Sequence, residues 1–285
     1  MPIAGSPTPL HALIDALEHD TTPRDPRCLR QRLDALDRIE LLQLAAGATA
    51  PVAFQRRIVE VQEHFAALNA DAYARMRDAI RHGVTPPLLM QCLADANPDG
   101  GDGYDWRDEL IEGVLQLAPP TKVEAILPAD MVAYQPTPAC HIFDLLAQAR
   151  LGADDVLVDL GSGLGHVPLL TAICTGAASL GIEREAAYVA CAQAAADALQ
   201  LSRARFRCTD ARAADFADGT LFYLYTPFGG SVLQTVLDAL RREAGRRAIR
   251  IAAHGPCVAA LAAQPWLAAD TPARADRITL FRPRC

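Results

Sequence analysis

Residues 154–165, which read DDVLVDLGSGLG, constrain the fold more than any other stretch of this chain. A short apolar run with β-branched members, residues 156–160, leads directly into a glycine-rich turn, residues 161–165. A segment compatible with a helix, residues 168–174, follows the turn. Strand, tight glycine turn and helix form the first unit of a nucleotide-binding α/β sheet, because glycine lets the backbone approach a ligand without a Cβ in the way. We therefore predict an α/β fold that binds a ligand at this turn.

The spacing of the glycines indicates which ligand the turn suits. Dinucleotide-binding turns follow the pattern G-x-G-x-x-G, but the third place, counted from Gly161, is His166 in this chain. The pattern is D-x-G-x-G-x-G, with Asp159 at the end of the strand. That carboxylate would repel a phosphate, whereas S-adenosylmethionine has no phosphate and carries an ammonium and a sulfonium. The turn therefore favours S-adenosylmethionine over NAD; the alternative is a chance glycine turn in an ordinary α/β protein.

Residues 156–167, VLVDLGSGLGHV, resemble the cofactor loop of class I S-adenosylmethionine-dependent methyltransferases. The resemblance spans roughly residues 134–281. Within the class, this part of the chain is most similar in detail to two subgroups. Non-SET histone-lysine methyltransferases of the telomeric-silencing-disruptor type share the D-L-G-S-G-x-G loop and an acid that ends the second strand. They also have a Phe-Gly step after the fourth strand, which Phe228-Gly229 matches. Mitochondrial-type protein-lysine methyltransferases have an aromatic-x-P-T segment that looks like residues 134–137 here. The resemblance implies a doubly wound, mostly parallel seven-stranded sheet in a methyltransferase domain at residues 126–285.

The pattern beyond the turn alternates strands with helices, as expected for a doubly wound sheet. We predict strands at residues 178–183, 204–208, 221–225, 248–253 and 278–281, with helices between them. Ligands bind outside the carboxyl ends of such strands. The polar and aromatic residues at those ends are therefore the candidates for the site.

Glu183 ends the second strand, 24 residues after Asp159, where a carboxylate can accept both ribose hydroxyls. Asp210 follows the third strand, where a side-chain acceptor can meet the adenine amino group. Tyr225 ends the fourth strand, Phe228 follows it, and both are predicted to line the channel of the methyl acceptor. Taken alone, an acid at a strand end is more often a cap, and an aromatic is often core. The predicted cofactor-binding residues are Tyr134, Thr137, Asp159, Gly161, Ser162, Gly163, Gly165, Glu183 and Asp210.

Three histidines lie near these positions. His166 follows the turn and His141 opens a helix, and for both we expect ordinary structural roles, with His166 at a helix start facing solvent. His254 ends the fifth strand and is the best candidate for a base in O-methyl transfer, although a structural role is the more common one.

Residues 1–125 show helical apolar stripes, which predict an all-helical domain that either packs alone or acts as a lid or substrate-recognition element. The segment 94–109 begins like a calcium loop with Asp95, Asn97 and Asp99. Trp106 stands where such a loop needs a bidentate glutamate, so we expect no metal there, but a solvated linker or a mobile substrate loop.

Composition, net charge and cysteine spacing argue against several classes of protein. The formal net charge of −7 argues weakly against broad nucleic-acid binding, which needs a basic surface, although a local basic patch stays possible. The sequence contains no run of about 18 apolar residues, so we predict no membrane span. The N-terminus does not resemble a secretory signal. The eight cysteines include no C-x-x-C pair, which disfavours a zinc site or a disulfide framework and favours a reducing, cytoplasmic location.

The favoured hypothesis is a methyltransferase acting on a protein side chain, with lysine first. The asparagine of the family's substrate turn is absent, since Tyr225 and Thr226 stand there, and this is a departure from the pattern of the lysine methyltransferases. A small-molecule O- or N-methyltransferase is the alternative enzyme, and a non-catalytic cofactor-binding module is the alternative of a different class. Nucleic-acid methylation is less favoured, because the turn lacks the Asn/Asp-Pro-Pro-Tyr/Phe arrangement. The oligomeric state does not follow from the sequence.

Overall fold

A computed structural model describes residues 8–20, 28–46, 51–97, 103–120 and 134–284 of the chain. The calcium-loop positions 98–102 and the predicted domain boundary at 125/126 lie outside the described residues. By compactness the chain divides into two units, residues 1–77 and 78–285.

The first unit is helical, as the apolar stripes predict. It contains α1 (Pro9–His19), α2 (Leu29–Ala46) and most of α3 (Val52–Arg81). The Thr8 hydroxyl caps α1 by accepting a hydrogen bond from the backbone N–H of His11. The apolar core of the first unit includes Ile14, Ile39 and Phe65, which are all buried. One face of each helix thus supplies the core of this unit.

Helices α4 (Pro87–Ala94) and α5 (Trp106–Leu115) belong to the second unit, although the sequence grouped them with the N-terminal helices. They pack against α6 (Ala139–Ala149), and α4 also packs against α7 (His166–Thr175). Leu89 and Leu110 are fully buried in this second unit. The observed division therefore falls near Arg77, earlier than the predicted one, and the functional division into two domains stays a prediction.

A seven-stranded sheet forms the centre of the second unit, in the order β3-β2-β1-β4-β5-β7-β6. All neighbouring pairs are parallel except those of β7, which runs antiparallel to both β5 and β6. This confirms the predicted doubly wound, mostly parallel sheet. The strands are β1 (Val156–Leu160), β2 (Ala178–Glu183), β3 (Ala204–Cys208), β4 (Leu221–Tyr225), β5 (Arg250–His254), β6 (Leu267–Ala269) and β7 (Thr279–Pro283).

The remaining helices are α8 (Ala186–Ala198), α9 (Gly230–Ala244) and α10 (Cys257–Ala262). The sequence did not predict β6, because three residues are too short for a periodic pattern. The predicted start of the fifth strand was two residues early, and α7 begins at His166, directly after the glycine turn, rather than at residue 168.

Both faces of the sheet are covered. On one face the Ser179 hydroxyl donates to the Pro168 carbonyl of α7. On the other, Phe222 of β4 lies in a core that includes residues of α9 and α10. Strand β1 pairs with β2 on one side and β4 on the other, so the strand order reverses there. Ligand sites of open α/β sheets lie at this reversal, outside the carboxyl ends of the strands.

Among the described residues no helix is long and apolar enough to cross a membrane. Within the same ranges, no group of three or more His, Cys, Asp or Glu side chains could hold a metal ion.

Candidate cofactor site

The turn between β1 and α7 requires glycine at three positions. Gly161, Gly163 and Gly165 have φ angles of 85°, 52° and 88°, a region that other L residues rarely adopt. A Cβ would also collide at each position. It would lie 2.3 Å from the Pro227 side chain at Gly161 and 2.3 Å from the Tyr134 ring at Gly163. The protein itself therefore needs glycine here, apart from any need of a ligand.

The backbone N–H groups of this turn are largely used within the protein. Two of them, from Gly161 and Ser162, donate to the Ile182 carbonyl at 2.8 and 3.1 Å. Gly163 donates to the Glu183 carboxylate at 2.9 Å. Phosphate-binding turns work by offering such N–H groups to the ligand. The observed bonding supports the prediction that this turn does not bind a dinucleotide.

Glu183 holds the turn in place through backbone contacts. Its Oε2 accepts from Gly163, and its Oε1 accepts from the N–H groups of Arg184 and Glu185 at 2.7 and 2.8 Å. A carboxylate has about four acceptor positions, so three bonds leave little spare capacity. The predicted contact with the ribose hydroxyls stays a prediction, and the structure adds a second role for the same carboxylate.

Asp159 is buried at the end of β1, with 4% of its surface exposed. Burial raises its pKa to about 8, and the neighbouring charge of Glu183 adds to the effect. A buried carboxyl group in this state is ready to lose its proton when a cation is brought beside it. This chemistry fits a ligand that carries an ammonium or a sulfonium.

A cavity opens at the carboxyl ends of β1 and β4. Six predicted site residues line it, from three separate segments: Tyr134, Thr137, Asp159, Gly161, Ser162 and Tyr225. Gln135, Pro136, His166 and Val167 complete the described lining. The Ser162 hydroxyl is buried beside the cavity and has no hydrogen-bond partner among the described residues. A partnerless buried hydroxyl, a buried carboxyl group and aromatic walls fit an amphipathic, positively charged cofactor.

Two predicted residues are engaged elsewhere. Phe228 is 3% exposed and lies in the hydrophobic core with Leu224 and Val236. The ring thus packs in the core and is absent from the described cavity lining, and the acceptor-channel role predicted for it stays a prediction. The turn after β4 directs this ring toward the core cluster that includes residues of α9.

The Asp210 carboxylate accepts hydrogen bonds from the backbone and the guanidinium of Arg212, which hold its pKa below the usual range. It also caps the short 3-10 turn Ala211–Ala213. A contact with adenine would compete with Arg212 for this carboxylate, and that contact stays a prediction.

Tyr225 belongs to a stack of three rings. Its ring lies 4.8 Å from that of His254, which in turn lies 4.2 Å from that of His141. Burial, together with His141, lowers the pKa of His254 to about 4. The His254 imidazole is therefore neutral at pH 7 but a weak base, which argues against the predicted role in O-methyl transfer. Thr226, with φ of 41°, locks the turn because its hydroxyl donates to the His254 carbonyl at 3.2 Å.

His166 was expected to face solvent, but the structure buries it and places it in the cavity wall. Its Nε2 lies 3.0 Å from the Glu112 carboxylate of α5. The two residues are 54 positions apart, and Glu112 lies outside the cofactor-loop motif, so no local pattern could have indicated the pair.

Residues 132–219 of the chain match the family described as "Histone methylation protein DOT1". The match covers less than half of the 285 residues. A search of curated proteins found no match.

Solved structures with a similar fold include an RNA methyltransferase from Salinibacter ruber in complex with S-adenosyl-L-homocysteine. It has 28% identity and a TM-score of 0.42, over 52% of this chain and 92% of the other. TrmN from Thermus thermophilus has 21% identity and a TM-score of 0.41, over 51% and 48%. The C-terminal domain of precorrin-6Y C5,15-methyltransferase from Rhodobacter capsulatus has 22% identity and a TM-score of 0.40, over 55% and 95%.

The sheet order, the glycine turn with its acidic strand ends, and the family match together define a class I S-adenosylmethionine-dependent methyltransferase. Its cofactor is S-adenosyl-L-methionine. Within this class, the family of histone methylation proteins is the one that the central residues of the chain resemble.

Proposed function

We propose that this methyltransferase modifies a protein side chain, with the lysine amine as the favoured acceptor. The observation that supports this most is the composition of the cavity wall. The described lining contains no Arg or Lys, and it combines the carboxyl group of Asp159 with the rings of Tyr134 and Tyr225. Ring faces attract cationic ammonium groups, so the wall suits an amine that is charged when it arrives and again after methylation.

S-adenosylmethionine supplies a methyl group on a sulfonium, which is already a good leaving group. The contribution of the chain is then to align the acceptor and to exclude water. A lysine amine must also lose its proton before it can attack, and desolvation beside the ring of Tyr225 lowers the amine pKa in that direction. The neighbouring His254 stays neutral at pH 7, so this residue does not repel a cationic acceptor.

A small-molecule acceptor is the second candidate. An O-methyl acceptor needs a base to remove its proton, and the low pKa of His254 makes this residue a poor one. A small-molecule N-methyl acceptor would use the same wall as lysine. Only identification of the methylated product distinguishes these two kinds of substrate. The match to histone methylation proteins supports the protein substrate.

The test uses S-adenosylmethionine labelled on the methyl group, incubated with the purified protein and cell extract. Protein, nucleic acid and small molecules are separated before counting, with the Gly163→Val variant as the control. We expect the label in protein, resistant to base and mild acid, and mass spectrometry then identifies methylated lysine. Label in the small-molecule or the nucleic-acid fraction contradicts the proposal. Absence of label with intact binding of S-adenosylhomocysteine by calorimetry favours a non-catalytic binding module.

A further inference from the structure

We propose that helix α5 clamps two separate walls of the cofactor cavity, and that Asp108 is a positioning residue for cofactor binding. The inference rests on the cofactor site and not on the identity of the methyl acceptor. Neither Asp108 nor Glu112 lines the cavity, so both act through the residues that they hold.

The first wall is the segment 134–137, which precedes α6. Helix α6 begins after Pro138, whose side chain provides no capping hydrogen bond. The cap comes from α5 instead, because Asp108 Oδ1 accepts a hydrogen bond from the Ala139 N–H at 2.8 Å. The other oxygen of Asp108 accepts from the Asp105 N–H at 2.7 Å and closes the capping box of α5. One carboxylate therefore joins the starts of two helices.

A second bond anchors the same segment. The Tyr104 hydroxyl, two residues before the start of α5, donates to the Pro136 carbonyl at 2.8 Å. Residues 134–138 form no helix or strand, and the two prolines among them have no N–H to donate. The segment is thus held by side-chain bonds from residues 104–108, together with the hydrogen bond between the hydroxyls of Thr137 and Tyr223 and the contact between the rings of Tyr134 and Tyr188. A segment fixed before the cofactor arrives costs less conformational entropy on binding.

The second wall is the start of α7. Glu112, one helical turn after Asp108, bonds the imidazole of His166 at 3.0 Å. His166 is the first residue of α7 and lines the cavity. Helix α5 therefore bonds a wall residue directly through Glu112, and through Asp108 it bonds Ala139, two residues after the wall segment 134–137.

The test measures the dissociation constant of S-adenosylhomocysteine by calorimetry, without any acceptor. Asp108→Ala removes the α6 cap, and we expect the dissociation constant to rise roughly five- to tenfold, the scale of one lost cap. Asp108→Asn keeps an oxygen that can cap, so binding is expected to stay within about twofold of the unchanged protein. Asp105→Ala is the matched control, because it removes the bond to the Arg107 N–H and leaves the bond to Ala139 intact.

A purely structural role predicts that Asp108→Ala and Asp105→Ala lose affinity in proportion to their loss of thermal stability. That result, or equal affinity in both variants, overturns the proposal. Tyr104→Phe and Glu112→Ala change exposed side chains and keep the test decisive if Asp108→Ala does not fold. We expect each to raise the dissociation constant about two- to fivefold, the scale of one lost hydrogen bond; no change in either variant contradicts the clamp. Because the assay needs no methyl acceptor, its failure leaves the proposed lysine substrate untouched.

Discussion

Two segments form most of the cavity wall, and they are held in different ways. The glycine turn 161–165 is fixed by backbone geometry and by bonds to the end of the neighbouring strand β2. The segment 134–137 is held by side chains from distant parts of the chain: Tyr104 bonds Pro136, the Tyr223 hydroxyl bonds that of Thr137, and Asp108 caps the helix that follows the segment. A backbone constraint imposes a residue type at each position and leaves a motif. A side-chain anchor from a distant part of the chain leaves no sign of itself in the sequence of the segment that it holds.

The two segments meet at Gly163, where the Tyr134 ring occupies the place that a Cβ would take. From the sequence, the reason for glycine here is space for the ligand. The structure shows that the nearest obstacle is a ring of the protein itself. The difference between the two walls can therefore be tested at this contact and at each anchor.

The largest effect is expected for Gly163→Val. Valine would adopt φ near 52° at a cost of about 1–3 kcal/mol and would also displace the Tyr134 ring. We expect no measurable binding of S-adenosylhomocysteine by calorimetry. Gly176→Val is the control, because Gly176 has φ of 68° but nothing lies within 4 Å of its Cβ position. If Gly163→Val binds as tightly as the unchanged protein, the turn is not the cofactor loop.

Glu183→Ala comes next. The change leaves three backbone N–H groups of residues 163, 184 and 185 without their acceptor, and it removes the predicted ribose contact. We expect the affinity for the cofactor to fall by about 1–3 kcal/mol, the scale of hydrogen bonds to a charged group. Glu185→Ala is the control, since Glu185 caps α8 and does not touch the turn. Unchanged affinity in Glu183→Ala would show that this acid neither shapes the turn nor meets the ribose.

Asp159 predicts a pH dependence of binding. Its raised pKa, about 8, means that the empty protein holds a proton at pH 7, whereas a cation in the cavity favours the carboxylate. Binding should therefore release a proton, and affinity should rise between about pH 6 and 8 and level off above. The free energy of unfolding moves in the opposite sense, because the unfolded chain releases this proton near pH 4, so stability falls as pH rises toward 8.

Calorimetry in two buffers of different ionisation enthalpy measures the released proton. Asp159→Asn is the matched control, because its side chain cannot titrate. The difference in proton release between the two proteins then excludes the contribution of the cofactor's own ammonium group. Equal proton release by both proteins would contradict a role of Asp159 beside the cation.

The sequence predicted what local chemistry determines. The strands β1 to β4, the alternation with helices and the placement of Asp159 and Tyr225 at the cavity followed from periodicity and strand ends. It could not predict the burial of His166, because its partner Glu112 lies on another helix. Phe228 shows the same limit, since the direction of one ring after a strand depends on the packing of the whole core. The role of α5 was missed for a related reason, because a carboxylate that caps its own helix gives no sign of capping a second one.

The smallest effect is expected at Asp210. This residue follows the end of β3, where the sequence predicts a ligand contact, but in the structure its carboxylate is bonded by the guanidinium of Arg212. If Arg212 occupies this carboxylate permanently, Asp210→Ala should change the cofactor affinity by less than about 1 kcal/mol, as for other exposed ion pairs. Arg212→Ala sharpens the test, because it frees the carboxylate without removing it. Tighter binding in Arg212→Ala together with weaker binding in Asp210→Ala would show that Asp210 reaches the adenine and that Arg212 competes with it. If neither variant changes the cofactor affinity, the role of Asp210 is to cap the turn that follows β3. The adenine contact would then lie on other residues of the second unit.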